Sequence, residues 1–343
     1  MRSPLISNNP ILHRNYAATQ ETAWTLLKSC PSDVVIAVVG PTRAGKSTIH
    51  DRIIARLKKE RASSDPDMIP VASLSLKSSH DGRVKQKYLS MKFLQLLNHP
   101  VYSNLGSIDE FERYTPSGAY DESAMQIRLE RACDYRNNEL LGVDEGHQLT
   151  HTSNEQYRAD LLDSLKNLCA VNRAWYLTGG YELAYRGFFD AAHFAGRLFI
   201  VEFPPYIKSS VDEMEWTDIL MTLETYLNVN SKGLLVSMAD ELLIASNGTY
   251  GLLEKILVWA KVNAIVRKCK ITRELIRSGY PPENERILIQ ADITKGQEAL
   301  KKYQVLRPAS DAANKAVELV VKGKQPFIRN PVRHLPEDIV LDL

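Results

Sequence analysis

The sequence predicts an α/β fold in which helices cover a parallel sheet. Two observations carry this prediction. Apolar runs of strand length alternate with helix-period stretches up to residue 203, and one of these runs leads straight into a glycine-rich loop followed by a helix. With 343 residues and 44% hydrophobic content, the chain is long enough for more than one packed core.

Five strands and four helices are expected in this part of the chain. The strands are short apolar runs at residues 33–39, 69–76, 139–143, 174–178 and 198–203. The helices between them are expected at residues 48–59, 84–97, 122–137 and 154–171. Residues 98–120 have neither period, and we interpret them as irregular.

The pattern changes after Pro204 and Pro205. Beyond this pair the apolar spacing becomes helical at residues 211–229, 238–245 and 252–269. We therefore expect three regions: an α/β domain over residues 1–205, a helical domain with C-terminal helices over 206–322, and an extended tail over 323–343. The tail is rich in proline and charge.

Composition excludes several classes of protein. With 43 basic and 41 acidic residues the net charge is +2, so any nucleic-acid surface must be a local patch. No apolar run approaches the roughly 18 residues of a membrane span, and no signal peptide is expected, so we predict a cytoplasmic protein with no membrane partner. The cysteines lack C-x-x-C spacing, which argues against cysteine-bound zinc and disulfides, and all are interpreted as structural: Cys30, Cys133, Cys169 and Cys269.

A complete G-x-x-x-x-G-K-[ST] motif lies between the first strand and its helix. Its residues are Gly40, Pro41, Thr42, Arg43, Ala44, Gly45, Lys46 and Ser47. Such a loop points backbone N–H groups at phosphates, so the motif predicts ATP binding. We expect Lys46 to reach the β and γ phosphates, Ser47 to bind Mg²⁺, and Thr48 to support the loop from behind. A chance match is the alternative, and the flanking strand and helix argue against it.

A second acidic element ends the third predicted strand. The apolar run there is followed by Asp144 and Glu145. We expect Asp144 to hold Mg²⁺, directly or through water, and Glu145 to act as the base that orients water for attack on the γ phosphate. The alternative is that the pair only caps the next helix.

Three further residues are assigned to the site from their positions. Thr178 ends the fourth predicted strand before two glycines, where its hydroxyl would sense nucleotide state; a turn residue is the alternative. Arg197 precedes the fifth strand at an edge that would face the nucleotide of a neighbouring subunit. Arg186 is the second candidate for this role, and a surface salt bridge is the alternative for both arginines.

The order of these motifs, with a helical lid behind them, resembles an AAA+ ATPase over about residues 10–270. Within that class, four stretches are similar to the TnsC and TniB regulators of bacterial DNA transposition, including CRISPR-associated members. The stretches are VVGPTRAGKSTI, LLGVDEGHQL, WYLTGGYELA and AGRLFIVEFPPY. In this resemblance Lys46 and Ser47 match the first Walker motif, Asp144 and Glu145 the second, Thr178 the first sensor and Arg197 the arginine finger.

The resemblance implies a bacterial cytoplasmic protein that assembles with itself as a ring or filament on double-stranded DNA. It also implies that the assembly links a target-selection protein to the transposase. One position departs from the AAA+ pattern, because Gly248 is followed three residues later by Gly251 where a sensor arginine is usual. Lys255, one turn further on, is the available substitute.

Two basic segments are candidates for DNA contact. The first follows the second strand and contains Lys77, Arg83, Lys85 and Lys87. It would bind phosphates without reading sequence, and a solvated helix start is the alternative. The second, which we interpret as exposed surface more than as a DNA site, contains Arg267, Lys268, Lys270, Arg273 and Arg277.

Other functions use the same loop. A small-molecule kinase has a P-loop but needs no arginine at a subunit edge and no helical lid in this order. An ATP-gated scaffold whose hydrolysis only times disassembly is a non-enzymatic alternative. An AAA+ ATPase acting elsewhere, in replication loading or signalling, is another.

Overall fold

The computed structural model describes residues 11–30, 32–76, 84–100, 122–151, 173–190 and 196–307, together with Leu161, Leu165 and Leu168. Its centre is a six-stranded sheet in which every described pairing is parallel, in the order β2-β3-β4-β1-β5-β6. The strands are β1 Val35–Val39, β2 Val71–Ser75, β3 Leu140–Asp144, β4 Ala174–Gly179, β5 Leu198–Glu202 and β6 Val305–Leu306.

Helices cover the sheet and then form a separate layer. Those around the sheet are α1 Arg14–Ser29, α2 Lys46–Glu60, α3 Gln86–Leu96, α4 Glu122–Tyr135 and α5 Glu182–Tyr185. A 3₁₀ turn at Gly146–Thr150 follows β3. After β5 come α6 Ser210–Glu224, a 3₁₀ turn at Val236–Met238, α7 Ala239–Ala245, α8 Tyr250–Val266, α9 Arg273–Arg277 and α10 Glu283–Leu300.

The central strands are buried on both faces, as continuous apolar runs require in a parallel sheet. Every residue of β1 and of β4 is buried. One apolar core lies where Phe93 and Trp175 meet edge to face, and another lies where Ile53 of α2 and Leu27 of α1 pack on the opposite side. Helices α6 to α9 share a third core, whereas Ile293 and Leu300 of α10 pack into the first. The predicted α/β class, with a helical C-terminal region, is confirmed.

Helix α1 and strand β6 are among the elements that were not predicted from the sequence. Helix α1 begins after His13, whose ring accepts a hydrogen bond from the backbone N–H of Tyr16, and it packs against β1 and β5. Strand β6 pairs with β5, so the fifth strand does not close the sheet, and the expectation that strands stop after Pro205 is wrong. The helices α9 and α10 were anticipated only as unplaced C-terminal helices.

Several predictions lie outside the described residues or reach only partly into them. The tail at 323–343, the residues Lys77, Arg83 and Cys169, and most of the irregular stretch at 98–120 are outside. Of the helix predicted at 154–171, three leucines are described, and all three are helical and buried.

Cys30, Cys133 and Cys269 are free thiols, and Cys269 is exposed. None of the described helices has the length and apolar content needed to cross a membrane.

Candidate functional site

The predicted site residues meet at the carboxyl ends of three adjacent strands. β4 lies between β1 and β3, with Val38 opposite Thr178 and Val143 opposite Leu177. The loop after β1, the acidic pair at the end of β3 and the hydroxyl near the end of β4 therefore share one edge of the sheet. In a parallel α/β sheet this edge is where ligands bind.

The loop after β1 has a backbone that requires its glycines. A Cβ on Gly40 would lie 2.5 Å from the carbonyl oxygen of Phe203, so the loop passes too close to β5 for any side chain. Gly45 has a φ of 109°, in the region that favours glycine, and α2 begins at the next residue. The N-terminus of α2 thus points into the curl of the loop, which is the arrangement that binds phosphate.

Lys46 lies back over this loop. Its Nζ donates to the carbonyl oxygens of Gly40, at 3.1 Å, and Pro41, at 2.6 Å. Burial lowers the pKa of Lys46. Nearby carboxylates act in the opposite direction and favour the charged form, and they belong to Glu145, Asp144, Glu182 and Asp292. Lys46 is therefore a partly desolvated cation at the place where phosphate charge would accumulate.

A chain of buried polar groups runs from Asp144 into the sheet. Thr178 Oγ1 donates to Asp144 Oδ1 at 2.5 Å and lies 3.2 Å from Nδ1 of His50, and Nε2 of His50 lies 2.7 Å from Ser73 Oγ. If the Thr178 hydroxyl donates to Asp144, its oxygen accepts from Nδ1–H of His50, and Nε2 then accepts from Ser73. His50 stacks on Tyr176 at 5.1 Å, and burial lowers its pKa to about 4. The ring is neutral at neutral pH.

Thr178 is a strand residue with no exposed surface, so the turn alternative is wrong. Asp144 is 7% exposed and belongs to β3, and it does not cap the following turn, whose N-cap residue makes no side-chain capping bond. The helix-cap alternative for the acidic pair therefore has no support in the geometry.

Glu145 has a backbone conformation that costs a non-glycine residue free energy. Its φ of 57° and ψ of 34° are left-handed, and such residues cluster at functional sites. The side chain is 45% exposed, and its Oε2 lies 3.4 Å from Nδ1 of His147. The left-handed turn lets Asp144 remain in the sheet while the next carboxylate projects toward solvent.

The oxygen groups at this edge suit a magnesium ion. Mg²⁺ prefers a few carboxylate and hydroxyl ligands, with water and phosphate completing its shell. The carboxylate of Asp144 and the hydroxyl of Ser47, on the first turn of α2, are such groups. Thr48 is exposed in the first turn of α2, and its support of the loop stays a prediction.

The helical layer contacts the loop directly. Gly251 N–H in the first turn of α8 donates to the carbonyl oxygen of Arg43 at 2.9 Å, and a Cβ at Gly251 would lie 2.4 Å from that oxygen. Burial raises the pKa of Glu254, while the charge of Arg43 lowers it. Lys255, the substitute for a second sensor, instead pairs with Glu285 at 3.5 Å, both half-exposed. Gly251, which departs from the AAA+ pattern, therefore lies too close to the backbone of Arg43 for a side chain.

The two candidate finger residues lie in different parts of the fold. Arg197 immediately precedes β5, at the opposite end of the strands, and its guanidinium pairs with Asp33 at 2.9 Å. Arg197 cannot serve the site of its own chain. Arg186 follows α5, and its charge lowers the pKa of His151.

The two basic segments differ in their surroundings. Lys85 is exposed at the N-cap of α3, and Lys87 is half-buried as the second residue of the helix. In the second segment, Arg273 and Arg277 both pair with Glu241, and Arg277 does so through two nitrogens at 2.9 Å. These two arginines are therefore engaged within the protein, as the exposed-surface interpretation expects.

Sequence reasoning missed His50, Ser73 and Asp292, and it noted Gly251 only as a departure from the AAA+ pattern. For His50 one signal existed, because a histidine on the apolar face of the helix that follows a phosphate loop is a polar group in need of a buried partner. The others belong to segments distant in the chain, and only the tertiary fold brings them to the site.

The parallel sheet and the complete phosphate-loop motif after β1 are those of a P-loop nucleotide-binding fold. A scan against protein-family models and a search of curated proteins find no match. Among solved structures, the chain is similar to the ORC2 protein of Aeropyrum pernix in its ADPNP and ADP complexes, at 13% identity and TM-score 0.52, over 81% of this chain and 71% of that one. It is also similar to Cdc6p from Pyrobaculum aerophilum, at 15% identity and TM-score 0.52, over 94% and 90%. Identities this low establish the fold alone.

Proposed function

We propose that this protein is an ATP-dependent regulator of DNA transposition that assembles on target double-stranded DNA and links a target-selection factor to the transposase. The observation that carries the ATPase part is the meeting of Lys46, Asp144, Glu145 and Thr178 at one edge of the sheet. The transposition part is supported by the resemblance of the four motif stretches to TnsC and TniB.

The site supplies each part of phosphoryl transfer to water. The backbone of the loop and Lys46 bind the ATP phosphates, and Ser47 and Asp144 hold Mg²⁺. When bound, the ion neutralises charge on the phosphate oxygens. Glu145 polarises the attacking water. Thr178 fixes the orientation of Asp144, and in an assembly Arg197 of a neighbouring copy completes the site.

The parts of the chain have separate roles in this proposal. Residues 1–205 bind nucleotide, residues 206–322 form a lid with the C-terminal helices, and residues 323–343 are a tail. The basic residues that follow the second strand in the sequence contact the DNA backbone: Lys77, Arg83, Lys85 and Lys87. Self-association then repeats this contact along the duplex, which gives binding without base recognition.

A comparison of the natural protein with Lys46→Ala tests the proposal. The natural protein should hydrolyse ATP and sediment with double-stranded DNA in the presence of a non-hydrolysable ATP analogue. Lys46→Ala should lose nucleotide affinity and, with it, DNA sedimentation. Equal nucleotide affinity in the two proteins would contradict the site, and nucleotide binding without DNA assembly would contradict the DNA role while leaving the ATPase.

An AAA+ ATPase in another DNA process, such as replication loading, is the second candidate. The fold likeness to ORC2 and Cdc6p is the observation behind it. A reconstituted insertion reaction separates the two. A transposition regulator changes the number or position of insertions in an ATP-dependent way, whereas a loader does not.

A further inference from the structure

Three side chains from two neighbouring loops converge beside Glu145. His147 and His151 lie in and after the 3₁₀ turn that follows β3, and Glu182 begins α5 after β4. One ligand atom from each lies within 4.8 Å of the others. We propose that these three residues bind a divalent transition-metal ion of the zinc class, at a position separate from the phosphate-binding loop.

The separation of the three atoms suits such an ion. Ligands about 2.1 Å from a tetrahedral zinc are about 3.4 Å apart, so rotation of these side chains closes the difference from 4.8 Å. The centroids of the His147 and His151 rings are already 5.5 Å apart, and the ring planes are inclined at 63°. All three residues are half-buried, which leaves the fourth position open to water.

The donor chemistry selects the class of ion. Two imidazoles and one carboxylate bind Zn²⁺, Co²⁺ or Ni²⁺, whereas Mg²⁺ prefers oxygen ligands only. In the described part of the chain, Nδ1 of His147 is buried and forms no hydrogen bond, although Glu145 Oε2 lies 3.4 Å away. A buried nitrogen without a hydrogen bond is costly, and a metal bond or a reoriented ring would relieve that cost.

Some charged groups around the three residues oppose the binding of a cation, and others favour it. The ring of His151 interacts electrostatically with Arg186, His147 and Glu182. The cation of Arg186 opposes a second positive charge. The carboxylate of Asp292 is close enough to interact with both Glu182 and His147, and its negative charge offsets that repulsion.

A bound ion would fasten the loop after β3 to the loop after β4. These loops are already in close contact, because a Cβ on Gly179 would lie 3.0 Å from the backbone nitrogen of His147. The ion would place positive charge two residues from Glu145 and draw its carboxylate away from water. We therefore expect the metal to slow ATP hydrolysis, and this expectation rests on the proposed function. Binding of the metal itself can be measured without nucleotide.

The test is calorimetric titration of the full chain with Zn²⁺ in the presence of Mg²⁺, with Co²⁺ absorption reporting the ligand geometry. The natural protein should bind one equivalent of Zn²⁺, and Co²⁺ should give the visible spectrum of a tetrahedral site. His151→Gln and Glu182→Gln should each lose more affinity than the roughly 10- to 100-fold that removal of an outer-shell partner costs. His99→Gln, which removes a partly buried imidazole elsewhere, should bind like the natural protein.

Two results would overturn the site. One is equal Zn²⁺ affinity in the natural protein, His151→Gln and Glu182→Gln, which would place the ion elsewhere. The other is no Zn²⁺ binding by a natural protein whose circular dichroism shows it to be folded. Thermal unfolding provides a second measurement, since Zn²⁺ should raise the midpoint of the natural protein and of His99→Gln but not of His151→Gln. A protein that binds Zn²⁺ but hydrolyses no ATP would contradict the proposed function and leave the metal site intact.

Discussion

The hydroxyl of Thr178 donates a 2.5 Å hydrogen bond to the carboxylate of Asp144, and neither residue is appreciably exposed. This bond joins β4 to the last residue of β3 inside the sheet. It fixes the rotamer of the carboxylate that we assign to Mg²⁺, so the effect of Thr178 on catalysis is exerted through Asp144.

Thr178→Val removes this bond while keeping the shape of the side chain. We expect normal ATP affinity and hydrolysis lowered by roughly 10- to 100-fold, the usual effect of losing a partner that orients a metal ligand. Steady-state ATPase assays over a Mg²⁺ titration measure it. Thr178→Ser, which retains the hydroxyl, is the control, and a rate for Thr178→Val equal to that of the natural protein would remove Thr178 from the mechanism.

His50 should make folding stability depend on pH. Its pKa is about 4 in the folded protein and near 6.5 when exposed, so the unfolded chain binds the extra proton between these values. The free energy of unfolding therefore falls as the pH drops from about 6.5 to about 4, by on the order of 3 kcal/mol from this group. Urea unfolding of the natural protein and His50→Asn across this range measures the difference. Asn keeps an N–H donor near the Nδ1 position and does not titrate, so equal pH slopes would contradict the assignment.

Glu145→Gln separates binding from hydrolysis. The amide cannot polarise water as the carboxylate does, so we expect intact ATP binding and turnover reduced by roughly 10²- to 10⁴-fold. DNA assemblies formed with ATP should then persist. Single-turnover hydrolysis together with sedimentation measures both properties, and an unchanged turnover rate would place the catalytic carboxylate elsewhere.

Arg197 is expected to act only across a subunit boundary. Arg197→Ala should bind ATP and hydrolyse it poorly, and mixing it with Glu145→Gln subunits should restore part of the activity, because some interfaces then contain both intact residues. Asp33→Asn is the control, since it breaks the 2.9 Å ion pair but keeps the arginine. If co-assembled mixtures stay inactive, Arg197 is not a finger in trans and Arg186 becomes the candidate.

Replacing Lys85 and Lys87 together by Ala should weaken DNA binding for all sequences alike. If each lysine contacts one phosphate, the slope of log affinity against log salt should fall by about 0.9 for each. Fluorescence anisotropy at several salt concentrations measures this change. The matched control is Arg273→Ala with Arg277→Ala, which removes two cations already paired with Glu241. Unchanged DNA affinity in the lysine variant would leave that segment a solvated helix start.

Apolar periodicity and short motifs predicted those elements that are determined by the residues within the element itself. The buried strands β1 and β4 and the loop between β1 and α2 have their own periodicity and motif, so their positions were read correctly to within a residue or two. Helix α1 was missed because its polar composition hides the apolar face that Ala23 and Leu27 bury. The two residues of β6 form a strand only because β5 is beside them.

The candidate site likewise contains residues that motifs identify and contacts that only the tertiary fold creates. Lys46, Asp144 and Thr178 belong to motifs that the sequence contains in full. The bond between His50 and Thr178 joins residues 128 positions apart, and no spacing rule predicts it. Arg197 is a different case, because its proposed role needs a second copy of the chain, and a single chain shows only its pair with Asp33.

The return of the chain to the sheet through α10 and β6 limits how the helical layer can move. The layer is joined to β5 at both ends, first through Pro204 and then through β6, where Arg307 pairs at 2.7 Å with the buried carboxylate of Glu202. Because the helical layer is attached to the sheet at two points, rotation about the line through them is easier than separation of the layer from the sheet. Gly296 of α10 lies against Tyr181, where a Cβ would be only 2.2 Å from the ring, so any turn that displaces α10 pushes on the residue three positions after Thr178. The structure therefore connects the helical layer to the segment after β4 through the contact between α10 and Tyr181.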